Sequence, residues 1–149
     1  MIIRTAIKEA CLELNKKNIK SYLLDSEILM SKVLNKKRDY IILNLEKYLN
    51  QKEFDYFRYL IDERAKGKPI AYLTGKKYFW KDEFNVNENV LIPRPETELI
   101  IEQILKIYKN KKSLSVLEIG VGSGCVLLSI MKEKRGFIGV GIDLSLIHI

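Results

Sequence analysis

Apolar residues at Ile3, Ala6, Ile7, Ala10, Cys11 and Leu14 recur at the spacing of one helical face, and the polar cluster Asn15-Lys16-Lys17-Asn18 supplies an end. A second amphipathic run covers Tyr22 to Leu34, with Leu24, Ile28, Leu29 and Val33 among charged positions. A short third element is expected around Tyr40 to Leu45, after Lys36-Lys37-Arg38. The clearest helix begins after Asn50. That residue can cap it, Glu53 completes a capping box, Phe54, Phe57, Leu60 and Ile61 form its stripe, and Gly67 with Pro69 stops it. Residues 1–74 therefore read as a small helical bundle.

After Gly75 the period shortens to two. Tyr78 and Trp80, then Phe84 and Val86, then Val90 and Ile92 alternate with other residues around Asp- and Asn-containing turns, which predicts a β-hairpin. Residues 75–95 are this connecting hairpin plus a proline segment. Pro93 and Pro95 stiffen that segment, Glu96 and Glu98 suit the positive end of a following helix, and Thr97 can bond locally. Arg94 gains nothing at a helix N-terminus, so it reads as an arginine held on a rigid mount at the mouth of a site. Helical spacing returns with Leu99, Ile100, Gln103, Ile104, Ile107 and Tyr108.

LSVLEIG (114–120) then reads as a strand, GSGCVLLSIMKEKRG as a glycine-led helix and FIGVGID (137–143) as a second strand. A strand, helix and strand of these lengths predict a βαβ unit with a parallel pair and a right-handed crossover. Parallel sheets are stable chiefly when both faces are covered, which one such unit cannot do. Residues 96–149 are thus expected to be an incomplete α/β domain, truncated after its second parallel strand. An uncovered sheet and an apolar end predict poor solubility.

Composition changes this picture little. The 149 residues are 47% hydrophobic and 30% charged, a globular balance. The net charge of +7 leans N-terminal, with 15 basic and 10 acidic residues through Gly75 and 11 and 9 beyond it. The two signs are interspersed, so direct nucleic-acid binding is not expected. Cys11 and Cys125 form neither a disulfide framework nor a zinc pattern, and no metal site is expected. No window holds 18 apolar residues, so no membrane association is expected, and the cysteine usage fits a reducing cytoplasm.

The chemistry-bearing motif is Glu118-Ile119-Gly120-Val121-Gly122-Ser123-Gly124, with Asp143 23 positions beyond Gly120 at the end of the next strand. Glycines let a strand turn sharply into a helix and a ligand approach the backbone, while an acid at the second strand's tip can accept bonds from ribose hydroxyls. Gly124 is followed by Cys125-Val126 rather than Lys-Ser/Thr, which disfavours a phosphate-cradling loop. A dinucleotide site, a methyltransferase-type site and a bare βα turn all remain compatible with the glycines. The form GxGxG preceded by an acid resembles motif I of class I S-adenosyl-L-methionine-dependent methyltransferases.

NVLIPRPETE (89–98), about 20 residues before VLEIGVGSG, together with RAKGKPIAYLTG (64–75) and the aromatic-led YFWKDEF, closely resembles the HemK/PrmC family of protein-(glutamine-N5) methyltransferases. The resemblance is strong over residues from about 60 to 145. It implies a helical bundle that docks the protein substrate, followed by the start of a class I (Rossmann-like) methyltransferase domain. It further implies a monomer that methylates the glutamine amide in the Gly-Gly-Gln motif of peptide chain release factors. Glu118, Gly120, Val121, Gly122, Ser123, Gly124 and Asp143 would line S-adenosyl-L-methionine, and Arg94, Pro95, Glu96 and Thr97 would face the substrate. In the family the glutamine is held by an Asn-Pro-Pro-Tyr element, which occurs nowhere here, the three prolines being Pro69, Pro93 and Pro95.

No catalytic residue is therefore assigned, and the chain by itself is expected to be inactive. DLSLIHI follows the family only as far as Ser145, so Leu146 to Ile149 are expected to lie outside the native frame. His148 and Cys125 are read as a tail residue and a packed thiol. Alternative functions are a non-catalytic partner-binding helical module, and a ribosomal-protein or nucleic-acid methyltransferase of the same superfamily; a nicotinamide dehydrogenase ranks last.

Overall fold

A computed structural model describes residues 1–144 of the chain. The readings of Ser145, His148 and Leu146 to Ile149 lie outside the described residues. The chain divides into two compact units, Met1–Thr74 and a second that begins at Gly75.

The first unit is helical: α1 (Ile3–Lys16), α2 (Tyr22–Leu34), α3 (Arg38–Leu43), α4 (Gln51–Ala65) and α5 (Ile70–Thr74). Its core joins Ile3, Ala6, Ile7, Ala10 and Leu14 of α1 to Leu29 and Met30 of α2, Ile41 of α3, and Phe57, Leu60 and Ile61 of α4. The stripe expected on α1 and α4 is thus the one buried. Asn50 Oδ1 accepts from Glu53 N–H at 2.9 Å while Glu53 Oε2 accepts from Asn50 N–H at 2.8 Å, so the capping box is formed.

On α2 the buried face also carries a carboxylate. Asp25, almost wholly buried, accepts from Arg64 Nε at 2.8 Å and from Ser21 Oγ at 2.9 Å. A charge this deep costs stability unless it is paired, and this ion pair fastens α2 to the end of α4. The short helix α5 was missing from the sequence reading, where Pro69 served only as a stop. Proline is equally suited to begin a helix, and Pro69 O accepts from Tyr72 and Leu73 N–H at 3.1 and 3.2 Å.

The second unit opens with an antiparallel hairpin, β1 (Lys76–Phe79) and β2 (Asp82–Asn85), paired from Lys76 with Asn85 to Phe79 with Asp82. Phe84 packs inward and Val86 is buried as expected, whereas the phase of β1 differs from the reading. Phe79 is 2% exposed and meets Phe84 edge-on at 6.2 Å, whereas Tyr78 is 74% exposed and Trp80 sits at the turn with φ of 56°. Tight turning at Trp80-Lys81 shifted the inward face by one residue. Val86 to Ile92 are not a strand.

A 3-10 turn (Pro95–Thr97) leads into α6 (Glu98–Ile107), then β3 (Leu114–Ile119), α7 (Cys125–Glu133) and β4 (Phe137–Ile142). β3 and β4 pair in parallel, from Leu114 with Phe137 to Ile119 with Ile142. This is the strand-helix-strand opening of a Rossmann-like methyltransferase domain. Phe79, Ile101, Cys125, Ile130 and Phe137 form the core of this unit, with Leu114, Val116 and Ile104 packed against it. On α6 the buried residue is Ile101, while Leu99, Ile100 and Ile107 of the expected stripe are exposed. The opposite face of the sheet, Leu117, Ile119, Ile138, Val140 and Ile142, is exposed among the described residues, as expected of a single βαβ layer.

Candidate functional site

The site is built where β3 gives way to α7. Gly120, Gly122 and Gly124 have φ of 78°, 52° and 75°, a left-handed region that penalises any side chain, so this reversal in five residues requires glycine. Gly120 and Val121 both donate to Ile142 O, at 2.8 and 3.1 Å, and Gly124 donates to Val121 O at 2.8 Å. The turn is thereby tied to the end of β4. Among the described residues nothing lies within 4 Å of where a Cβ of Gly120 would be, so the turn has an open side there.

Two carboxylates complete the constellation. Asp143 Oδ2 accepts from Gly122 N–H at 2.9 Å, bringing the acid at the end of β4 against the middle of the turn. Glu118 Oε2 accepts from Leu127 N–H at 3.0 Å. Gly124, at the N-cap of α7, has no side chain with which to satisfy the helix's first amides, and Glu118 supplies the missing acceptor from the strand. Burial raises the Glu118 carboxyl above the ordinary glutamate range, opposed by the bond from Leu127. Burial likewise pushes the Cys125 thiol up, against a hydrogen bond with Ser123. A thiol so held is a packing group rather than a nucleophile.

The proline segment is held differently. Pro93 is buried, Arg94, Pro95 and Glu96 are exposed and Thr97 is half-buried. Arg94 O accepts from Thr97 N–H at 3.0 Å, but the Arg94 guanidinium has no hydrogen-bond or ion-pair partner among the described residues. No hydrogen bond joins residues 94–97 to the glycine turn among the described residues. The structure thus joins Glu118, the turn and Asp143 by hydrogen bonds that do not extend to residues 94–97 among the described residues.

Sequence reasoning missed what ties the hairpin to the helix that follows that segment. Glu98 Oε1 accepts from Trp80 N–H at 2.7 Å, and Trp80 Nε1 donates to Glu133 Oε1 at 2.7 Å. Lys81 pairs with the same Glu133 at 2.6 Å, and Lys132 pairs with Asp82. The hairpin tip is therefore clamped to the start of α6 and to the end of α7. The one available signal was Glu98 itself, which local helix-end physics had already absorbed.

Among the described residues no cluster of three or more His, Cys, Asp or Glu side chains is placed to hold a metal ion, and no helix is long and apolar enough to cross a membrane.

Residues 5–75 match the family model for the PrmC N-terminal domain. The release factor glutamine methyltransferase of Leptospira interrogans is 45% identical over 134 residues, covering 89% of this chain and 47% of that protein. The protein of the same name from Clostridium botulinum is 35% identical over 130 residues, 87% of this chain and 46% of its own length. The bifunctional methyltransferase of Rickettsia conorii is 33% identical over 168 residues, 97% of this chain and 32% of that protein. The chain spans between about a third and about half of the length of these curated relatives.

Proposed function

Because the chain belongs to the HemK/PrmC family, we propose that it carries the cofactor-binding and substrate-docking parts of an S-adenosyl-L-methionine-dependent protein-(glutamine-N5) methyltransferase. The substrate is the glutamine of the Gly-Gly-Gln motif in peptide chain release factors, met in the cytoplasm by a monomer. Residues 1–74 dock the protein substrate, 75–95 connect, and 96–149 begin the cofactor domain.

The observation that carries this reading is the Gly120 to Gly124 turn with Asp143 drawn against it by Gly122 N–H. When bound, the cofactor supplies a methyl group on a sulfonium. Its nucleoside fits this turn: Gly120 offers close backbone approach on its open side, and an acid at the end of β4 is a residue type that accepts from ribose hydroxyls. Val121 and Ser123 line the turn, and Glu118 holds α7 at the angle that shapes it. Arg94, on the mount made by Pro93 and Pro95 with Glu96 and Thr97, presents an exposed cation to the substrate. An amide nitrogen is a poor nucleophile, so the reaction depends on holding it in line and accepting its hydrogens. No residue of this chain is assigned to that step, since no Asn-Pro-Pro-Tyr occurs in it.

Calorimetric titration tests the reading. The wild-type chain is expected to bind S-adenosylhomocysteine and not NADH, and Asp143→Ala to weaken binding by at least about tenfold, the scale of one charge-assisted hydrogen bond. Binding of NADH in place of S-adenosylhomocysteine contradicts it.

A partner-binding module is favoured by one separate observation in the helical unit. Ile7, Cys11, Tyr22, Leu23, Ile41 and Leu45 line an apolar groove of about 380 Å³. Capture of a release factor without any cofactor affinity supports that alternative.

A further inference from the structure

One face of β4 lacks side chains where α7 and the glycine turn come down on it. A Cβ on Gly139 would lie 2.7 Å from Leu127 Cδ1, and one on Gly141 would lie 2.6 Å from Val121 Cγ2 and 3.0 Å from Val121 Cβ. Both are closer than non-bonded carbons approach. Gly139 pairs with Val116 and Gly141 with Glu118, so the two share the face that α7 covers. Gly141 has no left-handed φ, so its backbone would accept another residue and the requirement is one of space alone.

Val121 is the second residue of the turn, and its N–H joins that of Gly120 on Ile142 O. The turn's amides are therefore anchored one residue beyond Gly141, while the space at Gly141 receives the Val121 side chain. We propose that Gly141 and Val121 form a size-matched pair that sets the height of the glycine turn over β4, making Gly141 a positioning residue for the cofactor loop. The assignment rests on the methyltransferase reading above. Valine is β-branched and stiff at χ1, so it cannot swing clear of an added methyl group. The turn must lift instead, lengthening both bonds to Ile142 O and drawing Gly122 from Asp143.

Amide hydrogen exchange on the 149-residue chain tests the pair. Gly141→Ala is expected to speed exchange at Gly120 and Val121 by about tenfold, an overpacking effect confined to the turn, and to leave Ser129 and Ile130 in α7 unchanged. It should also weaken S-adenosylhomocysteine binding. Adding Val121→Ala removes the 2.6 Å clash and leaves only the 3.0 Å approach, so the double variant should recover most of the protection. Should Gly141→Ala fail to fold while the double variant folds, the pair is equally supported. Unchanged protection in Gly141→Ala, or a double variant no better than the single one, overturns it. If the exchange pattern appears but the wild type binds no S-adenosylhomocysteine, the methyltransferase reading falls and the size-matched pair stands.

Discussion

Glu118 is a half-buried carboxylate and Asp25 an almost wholly buried one, and they are held for opposite purposes. Glu118 has one backbone N–H as its partner and a carboxyl raised by burial. An acid with a raised folded-state pKa binds its proton more tightly in the native chain than in the unfolded one. Its contribution to stability is therefore present at low pH and declines as pH rises from the ordinary glutamate range through the raised pKa. Glu118→Gln keeps an acceptor for Leu127 and removes the titration, so the second unit's stability, followed by the single Trp80, should lose that part of its pH dependence. An unchanged pH profile would refute this role. Asp25 answers a cation, and Asp25→Ala strands Arg64 in a mostly buried position. That change should cost the helical unit about 3 kcal/mol in urea unfolding, whereas a loss below about 1 kcal/mol would show the pair to be surface-like.

At the scale of elements, the hairpin tip does more than its sequence announces. The bond from Trp80 N–H to a carboxylate is charge-assisted and half-buried, so Glu98→Ala should destabilise the second unit by about 1.5–3 kcal/mol. Denaturant unfolding checks this, and Glu98→Gln should recover part of the loss. The α1 and α4 helices were legible because one apolar stripe meets one core, and the capping box is a local pattern. The phases of β1 and α6 were not. Tyr78 is aromatic like Phe79, and Leu99 and Ile107 are as apolar as Ile101, so only the left-handed turn at Trp80 and the position of α7 decide which of them is buried. The glycine turn was legible as a turn, but the contact of Val121 with Gly141 joins residues 20 positions apart and has no periodic signal.

Across the whole molecule, a helical unit with one shared core is followed by a βαβ unit with one sheet face exposed among the described residues. Leu117, Ile119, Ile138, Val140 and Ile142 present contiguous apolar surface, a basis for self-association. Replacing Leu117 and Val140 by Lys, both exposed, should lower light scattering at equal concentration without lowering the unfolding midpoint; a lowered midpoint would mean that the face is covered. The fold class and the family were legible because the proline segment and the glycine turn are contiguous motifs. The interactions that tie the hairpin tip to α6 and α7 were not, since they run between distant elements. The central claim is that the Glu118 to Gly124 turn and Asp143 receive S-adenosyl-L-methionine, and photolabelling with the tritiated cofactor tests it most directly. The label should be recovered on the tryptic peptide between Lys112 and Lys132, and S-adenosylhomocysteine but not NADH should compete it away. Label on the helical unit, or competition by NADH alone, would contradict the account.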